Sequence, residues 1–213
     1  MTSDFERAHW CALSKVFRHV GLTQRGFAFH WGQAVYRKLT KLNLATQYRD
    51  DRHVRKLCRR LMALPLVPAA EIAGLFERLR RQATSDRLSA LFDYVHKTWI
   101  ADDALWPPAC WSVFRRPVRT NNDVEGWHYR LNRRARSGHL PVYVLVRLLH
   151  DEAVISQQYV RLVSDGKLTR NQKKIYKSMH KRLDGLWTEF ERNEKTAKKL
   201  LYACAYIYGP HGP

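Results

Sequence analysis

Pro65-Leu66-Val67-Pro68-Ala69-Ala70-Glu71-Ile72-Ala73-Gly74-Leu75-Phe76-Glu77-Arg78-Leu79 holds a stop, a start and a stripe in fifteen residues. The prolines end whatever helix precedes them, and Pro68 is placed to open the next, because a first helical turn leaves its N–H groups unpaired in any case. Ile72, Leu75, Phe76 and Leu79 then recur at the spacing of one helix face. Upstream, Val54, Leu57, Cys58 and Leu61 repeat the pattern; downstream, Ser85 is a cap followed by Leu88, Leu91, Phe92, Val95 and Trp99. Three successive helices with one apolar stripe each predict a small bundle.

Further out the periodicity stays helical. Ser3-Asp4-Phe5-Glu6 is a capping-box pattern before a stripe of Phe5, Ala8, Ala12, Leu13, Val16, Phe17 and Val20. Gly21 to Gly26 breaks it, Phe27-Ala28-Phe29 is a candidate short strand, and Trp31, Ala34, Val35, Lys38, Leu39 and Leu42 mark another helix, with His30 at the junction. Asp102 to Cys110, with its acids and Pro107-Pro108, reads as a loop, and Trp111 to Phe114 as extended or turn-like. Pro141 opens a long helix with Val142, Leu145, Val146, Leu149, Ala153, Val160 and Val163, ended by Asp165-Gly166. Leu168 to about Tyr208 reads as one more helix, with Ile175, Met179, Leu183, Leu186 and Phe190 inward. Its outer residues Lys173, Lys174, Lys177, Lys181 and Arg182 suit either a solvated face or a phosphate-facing one. The fold class is mainly α, with at most one or two short strands.

Lys and Arg outnumber Asp and Glu by 38 to 19 in 213 residues, a formal charge of +19, while 45% of residues are apolar. That surplus favours a polyanionic partner, most often nucleic acid, whose condensed counterions basic side chains displace. Cys11, Cys58, Cys110 and Cys204 are far apart and form no CxxC pair, so neither a zinc ribbon nor a disulfide framework is suggested. No apolar run approaches bilayer length, and the N-terminus lacks a basic start with an apolar core. We expect a chain of the nucleus or cytoplasm with no membrane partner.

Arg119-Thr120-Asn121-Asn122-Asp123-Val124-Glu125-Gly126-Trp127-His128 concentrates the chemistry. Asn122 three residues before Glu125, ahead of Val124, Trp127, His128 and Leu131, places the glutamate in the first turn of a helix. There it is either the acid of a capping box or a group aimed at chemistry, and two asparagines and a Gly-Trp-His sequence beside it are more than a cap requires. The helix runs out in the basic patch Arg133-Arg134-Ala135-Arg136 before Gly138. Arg119, Asn121, Asn122, Arg133, Arg134 and Arg136 are the candidate nucleic-acid contacts.

Four stretches in order, Ser3-Asp4-Phe5-Glu6, Gly26-Phe27-Ala28-Phe29-His30-Trp31-Gly32-Gln33-Ala34, Leu61-Met62-Ala63-Leu64-Pro65 and Arg119 to His128, resemble the transposase domain of Mutator-like elements over about Ser3 to Ala153. The resemblance implies a ribonuclease H-like core whose two Asp and one Glu hold a pair of Mg²⁺ or Mn²⁺ ions for DNA strand cleavage and transfer. Asp4 matches the second Asp and Glu125 the final Glu, both as catalytic residues and as metal ligands, and the helices between them match the family's helical insertion. His30 matches the histidine of the family's CxxH element, in which Phe27 replaces the cysteine. The boundaries so implied are 1–45 for the core remnant, 46–110 for the insertion, 111–165 for the final-Glu helix and its successor, and 166–213 for a basic helical extension.

The family's first Asp and most of its sheet are expected upstream of Met1. The expectation is therefore a transposase fragment, inactive alone, weak in metal binding and at most DNA-binding, its helices exposing apolar surface where a sheet would pack. An active transposase with a truncated gene model and a helical protein-interaction module, associating through that apolar surface, are the alternatives.

Overall fold

The computed structural model describes residues 2–3, 5–17, 19, 24–104, 106–116, 122–135, 139–166 and 174–207, the side chains of 2–3, 9, 122–125 and 174–177 excepted. It is mainly helical, as its periodicity predicts. A two-residue strand, β1 (Thr2–Ser3), pairs in parallel with β2 (Arg25–Gly26). The helices are α1 (Arg7–Val16), α2 (Ala28–Lys41), α3 (Ala45–Asp50), α4 (Arg52–Met62), α5 (Ala69–Arg80), α6 (Asp86–Val95), α7 (Pro108–Trp111), α8 (Asn122–Ala135), α9 (Val142–Ser164), α10 (Lys174–Glu191) and α11 (Ala197–Ile207). The chain divides into a larger unit, residues 1–120 with 179–213, and a smaller one, residues 121–178.

In the larger unit each central helix starts where its sequence signals it. Asp51 accepts hydrogen bonds from the N–H groups of His53 (2.6 Å) and Val54 (3.2 Å) at the head of α4, Pro68 precedes α5, and Ser85 accepts from Leu88 N–H at 3.3 Å to start α6. Their stripes are the core: Val54, Leu57, Cys58, Leu61, Ile72, Phe76, Leu79, Leu88, Leu91, Phe92 and Val95 are all buried. α6 runs on into a π-helical turn, His96–Ile100, which carries Trp99 inward.

The Pro65-Leu66-Val67 segment is the hub. It forms a 3₁₀ turn with Leu64 that is fully buried, so its carbonyls need partners from elsewhere in the chain. Pro65 O accepts from Val113 N–H at 2.7 Å, Leu66 O from the Trp187 indole N–H at 2.7 Å, and Val67 O from the Ser112 hydroxyl at 2.8 Å. Residues drawn from α10 and α11 as a C-terminal extension are therefore core: Leu183, Trp187, Leu200, Leu201 and Cys204 are buried. Trp31 stacks on Trp111 with ring centroids 4.2 Å apart and meets Trp99 edge-on at 5.2 Å.

Several expectations change. Ala28 and Phe29 open α2 rather than forming a strand, and the extended pairing falls on Arg25–Gly26, where the Phe5 ring lies so close that any Cβ on Gly26 would collide with it. The Ser3 capping box does not form: Ser3 pairs with Gly26 in the sheet, α1 begins at Arg7 after Glu6, and Glu6 makes no side-chain cap. Among the described side chains of α1, Trp10 is the buried one, packed on Phe5 and Trp106, while Ala8, Ala12 and Val16 of the expected stripe are exposed. The single helix expected over 168–208 is two, because Asn193 takes φ 59° and turns the chain after α10. The stretch expected as a loop to Cys110 contains the start of α7, and α3 was not foreseen in the periodicity.

The smaller unit is built differently. α8 and α9 pack together, and among its described side chains Glu152 is the only buried one. The stripe of α9 forms with the predicted spacing but is not covered: Val142, Val146, Val160 and Val163 are more than half exposed.

Candidate nucleic-acid interface

The backbone of Glu125 lies in the first turn of α8, where the sequence places it. Asp4, Arg119, Asn121 and Arg136, and the side chains of Asn122 and Glu125, lie outside the described residues. Arg133 and Arg134 are described and differ. Arg133 is exposed, with no ion pair among the described residues. Arg134 is engaged within the unit, donating to Glu152 at 2.6 Å and to Asp151 at 3.4 Å, while Arg130 donates to Glu152 at 3.3 Å. A buried carboxylate between two guanidiniums is a tie between helices, so Arg134, singled out as a nucleic-acid contact, serves structure first. The Arg134 hydrogen bond holds Glu152 below its ordinary value of 4.5, outweighing the opposing effect of desolvation, with Arg130 adding to the shift.

His30 sits in the first turn of α2, its ring edge-on to Phe29 at 5.4 Å and to Phe27 at 6.0 Å. With Glu6, Gln33, Arg37 and Trp99 it lines a cavity of about 470 Å³. Phe27 stands three residues before His30, so the neighbour of His30 there is a ring and not a thiolate. Among the described residues no group of three or more His, Cys, Asp or Glu is placed to hold a metal ion.

The basic residues of α4 are not among the contacts that the sequence singles out. α4 carries Arg52, Arg55, Lys56, Arg59 and Arg60 and no acid, with Arg55, Arg59 and Arg60 half-buried, giving like-charge neighbours at i, i+4 that cost a few tenths of a kcal/mol each. Arg55 donates to the carbonyls of Tyr48 and Arg49, and Arg59 to Tyr206 O at 3.3 Å; Arg52 and Lys56 are exposed. The signal was present in the stretch Arg52 to Met62, whose every non-apolar position is basic. On the expected lysine face Lys181 and Arg182 are exposed.

Fold and surface define a helical, strongly basic protein in which no described helix is long and apolar enough to cross a membrane. Comparison with protein-family models, curated proteins and solved structures returned no match.

Proposed function

We propose that this chain binds DNA, in the nucleus or cytoplasm, and descends from a Mutator-like transposase without cutting DNA by itself. The observation that carries the binding is the charge of +19, together with an α4 that holds five Arg and Lys residues and no acid. Nothing inside that helix balances them, and phosphates would. The descent rests on the four sequence stretches, with Asp4 and Glu125 in the places of two of the family's three metal-binding acids. Titration of the full chain with a DNA duplex at rising salt tests the binding; no binding at low ionic strength removes it.

A second reading has its own observation. The uncovered stripe of α9 is the surface of a protein-interaction module that buries it against a partner or another copy. Light scattering after size-exclusion separates the two: a DNA-binding monomer favours the first, a self-associated chain indifferent to DNA the second.

A further inference from the structure

We propose that the groove between the C-terminal end of α5 and the start of α11 is the seat of a nucleic-acid phosphodiester backbone. It deepens the DNA-binding reading by assigning a site that neither the charge nor the motifs locate. The groove has a volume of about 430 Å³, within the range of about 300–1,000 Å³ typical of ligand sites. Leu79 and Leu201, both buried, form its floor, and Arg78, Arg81 and Lys198 its walls.

Three features point to phosphate. No carboxylate lines the groove. Arg78, Arg81 and Lys198 are exposed and make no ion pair among the described residues, whereas Arg80, one position away, is engaged by Asp93 at 2.5 Å and Glu77 at 3.7 Å. The acids of this region thus neutralise a cation outside the groove and leave those inside it available. Arg60 brings a fourth charge from α4, its guanidinium lying 3.7 Å from the centre of the Tyr202 ring, with the Lys198 ammonium 5.7 Å from the same centre. Stacking fixes the guanidinium plane and leaves its rim N–H groups for an oxyanion, so less conformational freedom is lost on binding. Arg60 and Lys198 share the Tyr202 ring, and Arg78 and Arg81 line the same groove as that ring; like charges so gathered repel one another, and a chain of phosphates relieves that repulsion while releasing its own counterions.

The test is fluorescence anisotropy of a labelled mixed-sequence DNA duplex with the full chain, across a salt series. Arg78→Gln/Arg81→Gln/Lys198→Gln should weaken binding by about 10-fold or more at moderate salt and flatten the log K against log salt slope by about 2 to 3, near 0.9 per lost phosphate contact. A control, Arg7→Gln/Arg87→Gln/Arg161→Gln, removes the same charge from exposed positions elsewhere and should change affinity by less than about 2-fold, as long-range charge is screened at that salt. Arg60→Lys, which keeps charge but loses the planar stack, should weaken binding by a few-fold. Unchanged circular dichroism of each variant checks the fold. Equal weakening by both triple variants overturns the groove as a site, and so does an unaltered groove variant in a chain whose parent binds DNA; in both cases the DNA-binding reading survives. Displacement of the duplex by poly-glutamate at equal charge concentration assigns the groove to acidic peptides and overturns it as a nucleic-acid seat. Failure of the parent to bind at low salt removes the DNA-binding reading and the groove together.

Discussion

Glu152 shows how a single residue can carry an interface that apolar packing does not. It is the buried side chain between α8 and α9, held by Arg130 and Arg134. Because its folded pKa is depressed, its contribution to stability is present above the unfolded carboxylate pKa and is lost as the pH falls through the folded value. Glu152→Gln should therefore lower the melting temperature at neutral pH and reduce the difference between neutral and acid melts; a variant that loses stability with acid as steeply as the parent contradicts the tie. The cysteines divide in the same local way. Burial pushes the Cys58 and Cys204 thiols up to about 12, while Cys11 is exposed, so iodoacetamide on the folded chain should alkylate Cys11 first and reach Cys58 and Cys204 only on unfolding, as peptide mapping would show. Early labelling of Cys58 would mean that the α4 core is open. At this scale little of the site could be read in advance. The Arg134–Glu152 contact joins residues eighteen positions apart on two helices, which a linear pattern does not reveal, and Arg134 looked like one more member of a basic run.

Elements were more legible where an apolar stripe and a start signal coincided. α5 and α6 have both, α4 has the stripe and a proline stop, and each lies where it was read. The break between α10 and α11 escaped because Glu191 to Thr196 contains neither glycine nor proline, and the turn depends on Asn193 accepting a left-handed backbone, which asparagine does more readily than most residues. α9 shows the limit of periodicity, since the stripe predicted a helix correctly but could not say what would cover it. Two substitutions measure that difference. Leu57→Ala, fully buried in α4, should cost about 2–5 kcal/mol in urea unfolding. Val160→Ser on α9, 66% exposed, should change stability by about 0.5 kcal/mol or less. A large loss from Val160→Ser would show that the α9 stripe is buried in solution.

For the whole molecule, the larger unit has a core of tryptophans and leucines gathered around the Pro65–Val67 carbonyls, and the smaller unit has a buried carboxylate and an exposed apolar helix. Mainly helical architecture was legible because repeated one-sided stripes leave few alternatives. The residues of the transposase resemblance were legible as motifs, but their geometry was not: Asp4 and the side chain of Glu125 fall outside the described residues, and His30 faces rings. What unites the chain chemically is its charge. Binding of a DNA duplex to the full chain across a salt series is the direct measurement of its role. The account predicts binding at low salt with log K falling linearly against log salt, at a slope of about 0.9 for each phosphate neutralised. Absence of binding at low salt, or an affinity indifferent to salt, would contradict it.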